Sequence, residues 1–194
     1  MAPDPDAALM LAFQQGDAAA FRTLFERHAR AMVAFCHHFV RDPARAEELA
    51  QDVFVKLHQV AGRYRPSARF KTFLYRIASN HCLNELRRGE YGARRAGDPA
   101  EPADLDALPS LAASPEDVAR GAALERAVGE LLARLPEKQR AALVLCRLEG
   151  LSYEEIAEVL ETSLSAVKSL VHRATVAAAD ALAPYGAGGK EAVS

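Results

Sequence analysis

The sequence predicts an all-α chain: two small helical domains joined by a flexible acidic linker, the C-terminal one a helix-turn-helix. Three observations lead there. Half of the 194 residues are hydrophobic, yet aromatics make up only 7%, Trp is absent and Ala is abundant, a composition that favours helices over sheets. Apolar residues recur at three- and four-residue steps in successive segments, the period of a helix with one buried face. Between about Gly89 and Pro115 that period fails, and Asp98, Pro99, Glu101, Pro102, Asp104, Asp106 and Pro109 take over, the composition of a linker. The length suits two small domains, with expected bounds of 1–90 and 115–183, a linker over 91–114 and a disordered tail over 184–194.

The first helix is expected from Asp17, an N-cap following Gly16, with Phe21, Leu24, Phe25, His28, Met32, Phe35 and Phe39 on one stripe. His28 reads as a core-edge residue, since no His, Cys or carboxylate recurs near it at metal-ligand spacing. After the break at Arg41-Asp42-Pro43 a second helix turns Ala46, Leu49, Ala50, Val53, Phe54, Leu57 and Val60 inward and Glu47, Glu48, Gln51, Asp52 and Lys56 outward. A loop from Gly62 to Arg69 leads into a third helix, expected from Phe70 to about Arg88, which buries Phe70, Phe73, Leu74, Ile77 and Ala78. On its other face Arg76, Asn80, Asn84 and Arg88 recur every four residues, so they stand in one file.

Ser114-Pro115 marks the next helix start, with Leu124, Val128, Leu131, Leu132 and Leu135 as its apolar stripe. Pro136 opens a helix that carries Leu143, Val144 and Leu148 to a C-cap at Gly150. Ser152 with Glu155 forms a capping box, and Leu151 with Ile156 the hydrophobic staple around it. Ile156, Ala157 and Leu160 face the core, Glu161-Thr162-Ser163 turns the chain, and a last helix buries Val167, Val171 and Ala174. Two helices joined by so short a turn, with the small Ala157 early in the first, form a helix-turn-helix pattern.

The net charge of −2 conceals a division. Residues 61–95 hold nine Arg or Lys against two acids, a balance of +7, whereas residues 98–117 hold six acids and no base. A basic block beside an acidic one suits phosphate contacts on one segment and solvation of the other. Arg63, Arg65, Arg69, Lys71, Arg76, Arg87 and Arg88, with the amides Asn80 and Asn84, suit an exposed single strand, cations tracking phosphates and amides reading base edges. On the final helix Ser165, Ala166, Lys168, Ser169, His172 and Arg173 lie off the buried stripe and are the candidates to face a duplex groove.

Cys36, Cys82 and Cys146 stand far apart, none in a CxxC spacing, and read as core or half-buried thiols of a reducing cytosol. The N-terminal stretch is acidic and its apolar run short, unlike a signal peptide, and no stretch approaches the ~20 apolar residues of a membrane span. A cytoplasmic protein without membrane insertion is expected. Adjacent carboxylates such as Glu47-Glu48 and Glu154-Glu155 point about 100° apart on a helix and do not form an acid/base pair. No nucleophile, metal or phosphate-loop constellation is found, so no enzymatic activity, metal or other cofactor is expected.

Three stretches in order carry a family likeness: AEELAQDVFVKLH (46–58), RFKTFLYRIASNHCLNELRR (69–88) and LPEKQRAALVLCRLEGLSYEEIAEVLETSLSAVKSLVHRA (135–174). With the connecting helices, residues from about Ala7 to Leu182 resemble the extracytoplasmic-function, or group IV, sigma factors of bacterial RNA polymerase. The resemblance implies a role in transcription initiation with core RNA polymerase and promoter DNA as partners. It implies that Glu48, Gln51 and Asp52 dock on the clamp helices of the largest polymerase subunit, and that the β flap is a second polymerase contact. It places Asn80, with Arg76, Ser79, Asn84 and the Gly62–Arg69 loop, at the melted −10 element, and the helix bearing Ser163, Ser165, Ala166, Lys168, Ser169, His172 and Arg173 on the −35 duplex. It also implies a linker running toward the RNA exit path and an anti-sigma factor as a further partner.

Departures from the family pattern are Phe73 for the usual Trp, His81 and Ser79 at positions commonly aliphatic and basic, and Leu170 and Thr175 where Arg is frequent. Only Lys168 and Arg173 then remain as firm cations on the final helix before Asp180, which predicts a weak solitary grip on the −35 duplex. A conventional repressor or activator, with the helix-turn-helix attached to a ligand-sensing domain, is the rival reading. It predicts dimers and palindromic sites and leaves the Asn80 file without a task.

Overall fold

A computed structural model describes residues 4–66, 68–93 and 115–188, and among these residues every regular element is helical. The expected all-α fold is what the chain adopts. In chain order the elements are α1 (Pro5–Gln14), α2 (Ala18–Val40), α3 (Pro43–Val60), a 3-10 turn (Ala61–Arg63), α4 (Phe70–Ala93), α5 (Pro115–Arg134), α6 (Glu137–Arg147), α7 (Tyr153–Val159), α8 (Leu164–Leu182) and a second 3-10 turn (Ala183–Gly188). Most of the acidic linker, residues 94–114, lies outside the described residues, as does the tail beyond 188.

Short polar side chains start most of these helices. Asp17 accepts from the N–H groups of Ala19 and Ala20 at 2.9 and 3.3 Å, and Asp42 from Arg45 N–H at 3.0 Å. Each bond satisfies a donor that the first turn leaves without an intrahelical partner. Ser152 and Glu155 close the capping box reciprocally, at 3.2 and 2.8 Å. Helix α6 ends at Arg147 with Leu148 as its C-cap, short of the expected Gly150, and Gly150, at φ +67°, takes the left-handed conformation in the turn that follows. Ser152→Ala is expected to lower stability by about 1 kcal/mol, read as a shift of the urea midpoint at unchanged slope.

Helices α2, α3 and α4 pack on one another, and α1 lies against α2 and α4. The buried stripe matches expectation at Leu24, Met32, Phe35, Phe39, Ala46, Leu49, Val53 and Leu57. Phe35 sits between Phe39 and Tyr75, with ring centroids 5.0 Å away in both cases. In the C-terminal unit α6 and α7 pack on α8, α5 flanks it, and Val167, Val171 and Ala174 are buried as the pattern requires. The apolar core is continuous across both units.

Several expectations are corrected. Helix α1 was not anticipated, although Asp4-Pro5, an N-cap followed by proline at the first helical position, is its signal. Helix α4 runs through Gly89 to Ala93 instead of ending near Arg88; a glycine inside a helix costs about 1 kcal/mol and is no stop by itself. Phe25 and Leu124 are 42% and 41% exposed, at the margins of their stripes. Leu148, expected within the helix, lies just past its end at Arg147 and is 53% exposed. The described part of the tail is a 3-10 turn rather than unstructured chain.

Candidate nucleic-acid interface

The C-terminal helix pair presents its expected polar face. Glu161, at φ +48°, turns the chain after α7, and Ser163 then caps α8 by accepting from Ala166 N–H at 3.2 Å. Because Val167, Val171 and Ala174 are buried, Ser165, Lys168, Ser169, His172 and Arg173 are exposed on the opposite side, with Ala166 half-buried beside them. Local bonds order this face. Ser169 Oγ donates to the Ser165 carbonyl at 3.1 Å and Arg173 Nε to the Ser169 carbonyl at 3.2 Å. Ser163 Oγ also lies 3.0 Å from Ser165 Oγ, so Ser163 is occupied in holding the helix start.

The file on α4 is equally clear: Arg76, Asn80, Asn84, Arg87 and Arg88 are exposed, as are Arg63, Arg65 and Arg69 in the preceding turn. The Arg76 guanidinium lies 5.4 Å from the Phe73 ring centroid, a cation–π contact that stiffens a long side chain. Ser79 departs from the expectation. It is fully buried, at 0% exposure, because it falls on the inward side between Ala78 and Cys82, and it is not brought to the surface with the file.

Three of the candidate cations meet acids of the C-terminal unit. Lys71 Nζ donates to the Glu149 carbonyl at 2.6 Å and lies 3.9 Å from its carboxylate. Arg69 stands 3.6 Å from Glu155, and Arg87 3.5 Å from Glu137. Thr72 Oγ1 donates to Glu155 at 3.3 Å, and the Tyr75 hydroxyl donates to the Glu149 carboxylate. Burial, followed by that hydrogen bond, pushes the Tyr75 hydroxyl far above the usual phenol range. The N-terminal turns of α4 are therefore covered by the turn before α7 in this arrangement. These pairs join residues 50 to 86 positions apart in the sequence, beyond the reach of any local pattern.

On α3, Glu48, Gln51 and Asp52 are exposed along one side. Glu48 receives Arg45 Nη1 at 2.5 Å, while Arg45 Nε reaches Glu85 of α4 at 2.8 Å and holds that carboxyl below its ordinary range. Sequence reasoning missed what lies next to Gln51: an apolar groove lined by Phe21, Phe25, Phe54, Val55 and His58. Its signal was Val55, an apolar residue off the buried stripe and 55% exposed. Among the described residues there is no group of His, Cys, Asp and Glu that could hold a metal ion, and no helix is long and apolar enough to cross a membrane.

Comparison with known proteins agrees with this geometry. Residues 24–90 match the family profile Sigma-70 region 2, and residues 125–176 match Sigma-70, region 4. The RNA polymerase sigma-H factor of Pseudomonas aeruginosa is 35% identical over 93% of this chain and 95% of its own length. The ECF RNA polymerase sigma-E factor of Haemophilus influenzae is 34% identical over 87% of this chain and 90% of its own. Among solved structures, CnrH in complex with the cytosolic domain of CnrY superposes with a TM-score of 0.65 at 25% identity, covering 93% of this chain and 99% of that one. The likeness extends over both helical units at nearly full length, and the chain belongs to the extracytoplasmic-function sigma factors of the sigma-70 family, a transcription initiation factor for RNA polymerase.

Proposed function

We propose that the two exposed polar faces divide promoter recognition between them: α8 reads the −35 duplex and the α4 file reads the melted −10 element. The carrying observation is the exposed line Arg76, Asn80, Asn84, Arg88 on a helix whose other side buries Phe70, Leu74, Ala78 and Cys82. Cations at its ends hold phosphates, while the two amides offer both donors and acceptors to base edges. Arg63, Arg65, Arg69, Lys71 and Arg87 extend the same positive surface. On α8 only Lys168 and Arg173 are firmly cationic, which supports a −35 grip that is weak unless polymerase holds the −10 reader in place.

Glu48, Gln51 and Asp52 dock on the clamp helices of the largest subunit of core polymerase, and the C-terminal unit meets the β flap. The exposure of the acidic side of α3 supports the first contact. The factor itself makes and breaks no covalent bonds; phosphoryl transfer belongs to polymerase. It works in the cytoplasm. An anti-sigma factor is a further partner, supported by the relative CnrH, whose solved structure contains the cytosolic domain of CnrY.

Asn80→Ala is expected to lose roughly 1–3 kcal/mol of discrimination at one −10 position, measured by competition between promoter variants in the holoenzyme. An equal loss on every promoter sequence contradicts base reading by Asn80.

A further inference from the structure

One helix outside both DNA-facing surfaces touches both ends of the segment leading into α4. At the N-terminal end of α1, Asp4 serves two helices with one carboxylate. Its Oδ1 accepts from the N–H groups of Asp6 and Ala7 at 3.0 and 3.4 Å, capping α1, and its Oδ2 accepts from Phe70 N–H at 2.7 Å, at the start of α4. At the other end of α1, Gln14 Nε2 donates to the carbonyls of Ala61 and Tyr64 at 2.5 and 2.9 Å. The Tyr64 carbonyl also accepts from Arg65 Nη1 at 2.9 Å, so the atom that Gln14 holds also orients a candidate phosphate-binding arginine.

The clamp has a firm base. Met10 and Ala7 fix one face of α1 in the core, at 0% and 8% exposure. Asp6 ties the helix to α2 through Arg27 at 2.7 Å and His28 at 2.9 Å. Tyr64 is itself buried, its ring 5.0 Å from Phe73 and 6.2 Å from Phe70. Tyr64 and Phe70 are thereby both tied to α1, which packs on α2 and on α4, the helix that carries the file.

From this we infer that Asp4 and Gln14 are positioning residues for −10 capture, with α1 acting as a brace that holds Arg63, Arg65 and the start of α4 in one geometry. The inference rests on the assignment of α4 to the −10 element proposed above. A base leaving the duplex must find its pocket already formed, because any ordering of the pocket at that moment subtracts from capture. Neither residue touches DNA in this scheme. They act through the carbonyls and N–H that they hold.

The test uses full-length protein with core polymerase and one promoter, in Gln14→Ala, Gln14→Glu, Asp4→Ala and Asp4→Asn variants. Permanganate reactivity of −10 thymines reports melting, and competition between promoters differing at one −10 base reports discrimination. Gln14→Ala and Asp4→Ala are expected to lower melting about tenfold and to narrow discrimination, with core affinity unchanged within about twofold. Asp4→Asn, which keeps one oxygen acceptor where Asp4 uses two, restores melting only in part. Gln14→Glu, which keeps the size but cannot donate to two carbonyls, does not restore it.

Losses of melting that merely follow losses of core affinity overturn the proposal, as that is the signature of a general folding role. Asn80→Ala run in parallel separates the two readings. If Asn80→Ala alters discrimination while the Gln14 variants leave it unchanged, the brace fails and the −10 assignment stands. If none of the variants alters it, both fail.

Discussion

Replacing Arg140 by methionine is expected to destabilise the protein by about 3 kcal/mol or more, the largest single-site effect that these contacts imply. The side chain is 7% exposed, unusual for an arginine. Its Nη1 donates to the Phe39 carbonyl at 3.0 Å, and its Nη2 to the carbonyls of Ala133 and Leu135 at 3.0 and 3.5 Å. Ala133 is in the last turn of α5 and Leu135 directly follows it, where carbonyls lack an intrahelical donor, and Phe39 belongs to α2. Methionine fills much of the volume without offering a donor, so these carbonyls are left in an apolar setting unpaired. Urea unfolding followed by circular dichroism reads the loss, and hydrogen exchange of the α5 and α6 amides should quicken with it. A loss below about 1 kcal/mol would mean that water replaces the guanidinium there.

Acidification is expected to cost about 2 kcal/mol between pH 7 and pH 5 through His38. Burial in α2, reinforced by the neighbouring His37, pulls the His38 pKa from 6.5 down to about 4. Above the unfolded value both states hold a neutral imidazole, and stability is at its full level. As pH falls from 6.5 toward 4, the unfolded chain takes up a proton that the folded chain refuses, so stability declines across that window. Below it both states are charged and the decline stops. Burial lowers the His37 pKa as well, adding in the same direction. Comparing urea midpoints at the two pH values checks this: His38→Gln should remove most of the difference, and an unchanged difference would place its origin elsewhere.

Features written in consecutive residues were legible. Asp17, Asp42, and Ser152 with Glu155 each act within four positions, so the residue types themselves announce the helix boundaries. The α4 file was legible for the same reason, because one helix and one period define it. Phe25 and Phe21 were not, since a stripe shows which side of a helix is apolar but not whether a neighbour covers its edge; here that edge opens into the groove beside Gln51. The hold of Glu149 and Glu155 on Lys71, Thr72 and Tyr75, and of Gln14 on Ala61 and Tyr64, depends on how distant helices pack. Nothing in the spacing of those residues encodes it.

That packing bears on promoter binding. With Arg69, Lys71 and Arg87 near carboxylates of the C-terminal unit, three of the cations assigned to the −10 element are shared with acids. Arg69 and Arg87 stay exposed in their pairs, and ion pairs open to water contribute only ~0–1 kcal/mol each, so phosphates of a promoter strand compete with these two readily. The modest charge of α8 fits the proposed division, in which neither unit binds DNA strongly alone and specificity arises when polymerase presents both.

The most direct test of that division is run-off transcription from a genomic fragment library by core polymerase, with and without this protein. Transcripts that depend on the factor should start downstream of two sequence elements at a fixed separation, and substitutions in α8 or at Asn80 should each relax only one element. Transcripts without such paired elements, or none that depend on the factor, would contradict the two-reader account.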